Sequence, residues 1–217
     1  SDVIRNFMTT ETSDQYKNML SEVKKGKTTA DTIDSIASVI CKNFTYTNDK
    51  DKDGNYSSKY RDCSYVINQS KNHECVCVGY AYAFKLMCNY FDIDCVANGG
   101  STSAGAHEWN YVKIGSKYYG VDLTWIDDDE DENRKTVFTD DYYLSDAKTF
   151  GVKAYNGIDG RVSDNYAADI NFEKIIPLAT KAYSRTITAG NFKYKIENSN
   201  KCSVLGLSAK GKKLTKL

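Results

Sequence analysis

This chain of 217 residues is poor in histidine, tryptophan and proline: it holds two His, two Trp and a single Pro, Pro177. The shortage of His is informative, because a neutral imidazole is the usual base for generating a thiolate near pH 7. That base can only be His73 or His107. Net charge is lacking too, with 29 basic and 29 acidic residues, so nothing favours nucleic acid or anionic lipid as a partner. No apolar run approaches the roughly 20 residues that cross a bilayer, and no membrane span is expected. An initiator Met is missing as well. The opening Ser-Asp-Val reads as a trimmed start, with any leader lost.

What is present is ordinary for a globular protein: 41% hydrophobic and 27% charged residues, enough for one domain with a core, or one domain and a small appendage. Seventeen Tyr, with abundant Asn and Lys, suggest an AT-rich bacterial coding bias. The seven Cys are an odd number. Scattered through a chain of this length they read mainly as small buried hydrophobes rather than a disulfide framework.

Apolar periodicity predicts helices over 13–25, 30–43, 58–70 and 77–90. Short strands are predicted over 43–47 and 93–97, and GGSTSAG reads as a loop. HEWNYVKI and KYYGVDLTW flank Gly115-Ser116, a hairpin signal. With a two-residue turn, paired positions run from Ile114 opposite Lys117 to Trp109 opposite Asp122. Asp122 is then the diagonal neighbour of His107 on one sheet face, about 7–8 Å away between Cα atoms. A one-residue slip would separate them. Residues 164–184 look partly helical. From Thr186 the texture turns β-like in two runs, which suggests a catalytic unit over 1–185 and the start of a truncated β module over 186–217, or an extra edge hairpin.

A thiol nucleophile belongs at a helix start, where the dipole and free N–H groups favour the thiolate. Cys77 immediately precedes the run VGYAYAFKLMC, Cys75 lies in the approach to it, and Cys88 sits deep within it. CVCVGYAYAFKLMC followed by HEWNYVKIGSKYYGVDLTW resembles the signature of the transglutaminase-like superfamily. In that pattern a Cys, one further residue and Gly-Tyr-Ala begin a helix, and His-x-Trp-Asn and Val-Asp-x-Thr-Trp strands follow. The likeness covers roughly residues 60–145, with a weaker echo upstream where a Phe-x-Tyr strand is expected. It implies an α+β, papain-like or transglutaminase-like fold, with the nucleophile helix on an antiparallel sheet. It also implies Cys77 as nucleophile, His107 as base and Asp122 as the orienting carboxylate. Cys75 stands where Gly is common, and Glu108 where Ala is frequent.

The resemblance implies a cysteine acyltransferase or peptidase that acts on peptide or glutamine-type amides through a thioester, with a transglutaminase, amidase or protease outcome. The alternative is a non-catalytic cell-surface or adhesion domain that keeps the fold. A papain-type protease fits less well, since its third member is usually Asn. The Cys77 N–H offers one oxyanion donor; the second has no assignment in the sequence. Trp109 and Tyr80 are candidates to wall the substrate cleft. Asn110, on the face opposite His107, reads as structural.

No cofactor is required by this chemistry. Asp49, Asp51 and Asp53 with Gly54 reproduce the first half of a calcium loop, but position twelve is Tyr60 rather than Glu. The segment therefore reads mainly as a solvated loop and secondarily as a weak calcium site. His73, Cys75 and Cys77 lack a fourth ligand at zinc spacing. Expected partners are a protein or peptide substrate. The expected setting is a larger, secreted or surface-attached bacterial protein.

Overall fold

The computed structural model describes residues 14–69, 72–102, 105–127, 142–148, 167–168, 172–198 and 201–214. Two helices open it, α1 (Asp14–Glu22) and α2 (Thr29–Asn43). The start of α2 is fixed by a capping box: Asp31 N–H donates to Thr28 Oγ1 and Thr28 N–H to the Asp31 carboxylate, which satisfies two helix-terminal donors. Ile33, Ile36, Ala37 and Ile40 form the buried stripe of α2 that the spacing predicts. A short strand, β1 (Phe44–Tyr46), follows. It pairs in parallel with β2 (His73–Cys75), so that Tyr46 lies opposite Cys75.

The single helix expected over 58–70 is instead two short pieces, a 3₁₀ turn at Ser58–Arg61 and α3 (Cys63–Ile67). Asp62 separates them because its carboxylate accepts the Ser64 and Tyr65 N–H groups, the geometry of an N-cap. The central helix is α4 (Cys77–Tyr90). It carries apolar residues around most of its circumference and is correspondingly buried, with Tyr80, Ala83, Phe84, Met87 and Cys88 in the core.

Behind α4 stands a five-stranded sheet in the order β6-β5-β4-β3-β7, formed by β3 (Cys95–Thr102), β4 (Gly105–Ile114), β5 (Lys117–Val121), β6 (Tyr143–Ser145) and β7 (Ala167–Ala168). All of its pairings are antiparallel. Two expectations are corrected here. Gly99 and Gly100, read as loop, belong to β3, because Glu108 and His107 of β4 supply their ladder partners. Leu123, Thr124 and Trp125, read as strand, lie in the short helix α5 (Leu123–Ile126), with Asp122 as its N-cap.

The chain end forms a separate three-stranded sheet, β10-β9-β8, from β8 (Arg185–Ala189), β9 (Phe192–Asn198) and β10 (Lys201–Leu207), followed by α6 (Ala209–Leu214). The first of the two β runs is itself a hairpin, broken at Gly190 with φ of 57°, a conformation that glycine adopts without strain. Of the segment expected to be partly helical, the described residues near Pro177 include a 3₁₀ turn at Phe172–Lys174. The acidic run after Asp127 lies outside the described residues. Among the described residues no helix is long and apolar enough to cross a membrane.

Candidate active site

The hairpin register is the one the turn predicts: Ile114 pairs with Lys117 and Asn110 with Val121. The ladder stops there, which leaves Asp122 one step past β5 and on the side of His107. His107 Nε2 donates to Asp122 Oδ2 at 2.5 Å, so Nδ1 is the ring nitrogen left for a second partner. The Cys77 sulfur is near enough to the ring to raise its pKa. The structure thus brings together all three residues of the predicted triad.

Each is held by a different element. Cys77 is the first residue of α4 and is 8% exposed. Its N–H and that of Val78 precede the first bond of the helix, Gly79 N–H to Val76 O at 2.8 Å, so both point out of the helix end without an intrahelical acceptor. Asp122 is fixed through its backbone, whose N–H donates to Tyr142 O at 2.9 Å. Asn110 Nδ2 donates to Ala81 O in the first turns of α4 and to Val96 O of β3. It thereby ties the nucleophile helix to the sheet, the structural role expected of it.

Burial works to lower the His107 pKa. The Asp122 carboxylate and the Cys77 sulfur outweigh it and lift the pKa to about 10. The carboxylate and the sulfur thus favour the imidazolium form of the ring.

The approach to Cys77 is packed without slack. A Cβ on Gly79 would stand 2.5 Å from Cys75 Cβ and 3.0 Å from its sulfur, so the glycine of the Gly-Tyr-Ala segment makes room for Cys75. Cys75 itself is fully buried, and burial first, then the Asp127 charge, push its thiol well above the ordinary range. It is a poor nucleophile for that reason.

The two cleft candidates are corrected. Trp109 and Tyr80 are each 1% exposed and offer no surface to a substrate. Trp109 stacks on His107, with centroids 6.3 Å apart at 13°. The Tyr80 hydroxyl donates to Asp127 Oδ2. Sequence reading missed the aromatic that does reach the surface here, Trp125 on α5. It is 39% exposed, stacked on Tyr142 and 6.1 Å from the His107 ring. Its place just past Asp122 was the available signal, obscured by reading that segment as strand.

Tyr46 was missed as well. It faces the Cys75 position across the parallel pair and sets its ring edge-on to Tyr56 at 6.2 Å. Burial, a hydrogen bond to Tyr56 and the nearness of Cys77, in that order, hold its hydroxyl protonated.

The other sequence candidates lie apart. His73 is buried, with Nδ1 at 2.8 Å from Val66 O. In the 49–53 loop, Asp51 Oδ1 accepts the Asp53 and Asn55 N–H groups and Asp49 accepts the Tyr60 hydroxyl. These carboxylates serve the turn itself, and no group of three His, Cys, Asp or Glu among the described residues is arranged to hold a metal ion. None of the six described cysteine side chains is in a disulfide.

Comparison with known proteins gives a family and little beyond it. The family model described as Transglutaminase-like superfamily matches residues 17–127, just over half of the chain. No curated protein matches. A solved structure described as "Crystal structure of a TGase" shares 17% identity over 51% of this chain with a TM-score of 0.42, and the match spans 31% of that longer chain.

Proposed function

The chain belongs to the transglutaminase-like superfamily, whose members are typically cysteine acyl-transfer enzymes, and from that premise we propose that it transfers acyl groups from peptide or glutamine-type amides through a thioester on Cys77. One observation carries the reading: the sulfur at the start of α4 acts on the His107 ring, which is itself bonded to a buried carboxylate, so the Cys77 proton can pass to the imidazole and leave a thiolate. This is the arrangement that activates a sulfur nucleophile.

In the reaction, the Cys77 sulfur adds to the amide carbonyl. The oxyanion forms against the Cys77 and Val78 N–H groups, and His107 gives its Nδ1 proton to the departing amine. Asp122 holds the ring and stabilises its charge throughout. Water or a primary amine then attacks the thioester, and His107 takes up that nucleophile's proton. Trp125 stands beside His107, half exposed, where it can meet a substrate.

Labelling tests the nucleophile. Iodoacetamide should alkylate Cys77 faster than an ordinary thiol near neutral pH, and His107→Ala should abolish the advantage, as read by peptide mass mapping. An ordinary rate that is unchanged in the variant would favour a binding domain that keeps the fold. Ammonia release measured against amine incorporation then separates hydrolysis from transfer.

For the second oxyanion donor we assign the Tyr46 hydroxyl, on the residue that pairs with Cys75, two positions before Cys77. Tyr46→Phe is expected to lower kcat about 100-fold with KM little changed. A loss carried by KM instead would assign Tyr46 to substrate binding.

A further inference from the structure

Cys77 sits on a helix, whereas His107 and Asp122 belong to the sheet and the turn that leaves it. The three are therefore only as well aligned as the joint between α4 and the sheet. Asn110 bridges that joint from β4. A second bridge comes from the far end of α5. The Tyr80 hydroxyl, in the same first turn of α4 as Cys77, donates to Asp127 Oδ2 at 2.5 Å.

Asp127 closes a very short unit. α5 is four residues long, with Asp122 before it and Asp127 after it. Ile126 N–H donates to Asp122 O at 3.3 Å and Asp127 N–H to Leu123 O at 2.9 Å. One turn of helix has little stability of its own, because nucleation costs more than so few bonds return. Its placement depends on what grips it. Leu123 and Ile126 are buried, the Asp122 N–H is bonded to Tyr142 O at the front, and Tyr80 holds the back. The front carries the carboxylate bonded to His107, and the middle carries Trp125 beside the same ring.

We propose that Tyr80 and Asp127 are positioning residues for the acyl transfer, a clamp that ties α5 to the first turn of the nucleophile helix and so sets Asp122 and Trp125 relative to Cys77. The assignment rests on the catalytic reading above, and both residues act through the groups they hold. A hydroxyl donated to a carboxylate is among the stronger hydrogen bonds. Packing aims the donor: the Tyr80 ring is buried and meets Phe44 edge-on at 5.5 Å. A phenylalanine would fill that space equally well. What the tyrosine adds is the bond to α5, and a buried hydroxyl costs stability unless it finds such a partner.

Tyr80→Phe keeps the ring and removes only the donor. It should lower kcat about 10–100-fold with KM little changed, since alignment and not substrate contact is lost. Asp127→Ala should do the same, and the double variant should be no worse than either single one. Asp127→Asn keeps an acceptor oxygen and should recover most of the rate, which a role for the charge alone would not allow. Independently of turnover, amide exchange at Asp122, Ile126 and Asp127 should quicken about 10-fold or more in Tyr80→Phe, while Phe84 and Met87 in mid-α4 stay as protected as in the parent. Unchanged exchange at the α5 amides would overturn the proposal, and so would a kcat within about twofold of the parent. A parent that transfers no acyl group overturns the catalytic reading instead, and the clamp is then judged on exchange alone.

Discussion

Asp122→Asn is expected to lower kcat/KM by about 10³–10⁴-fold while leaving the fold intact. The two side chains are nearly isosteric, and the position is anchored by its backbone N–H to Tyr142 O rather than by its carboxylate. Asp122 Oδ1 is buried without a hydrogen-bond partner among the described residues, and Oδ2 is committed to His107. The carboxylate therefore serves the imidazole and does little for the local chain. An Asn amide there can present its NH₂ to Nε2, which fixes the wrong tautomer and leaves no negative charge to balance an imidazolium.

The pH profile gives a readout that a purely structural role would not move. Burial alone would lower the His107 pKa; Asp122 and Cys77 hold it at about 10. Without the carboxylate the protonated form is lost at lower pH, so the alkaline limb of kcat/KM should retreat from about 10 towards neutrality. The same linkage acts on folding. A base with a raised folded pKa contributes stability that is complete below its unfolded value, near 6.5, and lost as pH rises through about 10. The stability gap between variant and parent should therefore close above that pH. An unchanged alkaline limb, with activity retained, would remove Asp122 from the site.

The grouping of Cys77, His107 and Asp122 was legible in the sequence through two short-range rules and a family resemblance, the last of which chose Cys77 over Cys75. The Gly115-Ser116 turn fixes a register that carries His107 and Asp122 to one face, and the apolar run after Cys77 marks a helix start. What was illegible is long-range. Gly99 and Gly100 have loop propensities and become strand because β4 offers a ladder partner, a tertiary override of local preference. Asp122 suggests a continuing strand until its role as the N-cap of α5 turns the chain, and that turn brings Trp125 beside His107. Trp109 and Tyr80 match the expected motif, but nothing in a motif distinguishes an aromatic that lines a cleft from one that walls the core beneath it. Tyr46 reaches the neighbourhood of Cys77 across a parallel pairing that no hairpin signal announces.

The contact most hidden from the sequence gives the largest expected effect on stability. Arg185, the first residue of β8, donates through both guanidinium arms to the Asp34 carboxylate of α2, and the Tyr143 hydroxyl adds a third bond to Oδ1 at 2.8 Å. The pair is separated by 151 positions and joins the chain-end sheet to a core helix. The Asp34 side chain is 9% and the Arg185 side chain 17% exposed, so removing one partner strands a charge out of water. Arg185→Met should cost about 3–5 kcal/mol at neutral pH, measured as a shifted urea midpoint at unchanged slope.

Acid should soften that loss. Burial pushes the Asp34 carboxyl above its ordinary range even with Arg185 and Tyr143 pulling it back. A carboxyl raised in the folded state contributes stability at low pH and loses it as pH climbs through the folded value. Without Arg185 the folded value climbs further, so the deficit should be largest at neutral pH and shrink on acidification. Asp34→Asn combined with Arg185→Met should recover most of the loss, since no uncompensated charge then remains. A deficit under about 1 kcal/mol that ignores pH would reduce the pair to the rank of an exposed ion pair, and the hold of the chain-end sheet on α2 would then have to come from apolar contact alone.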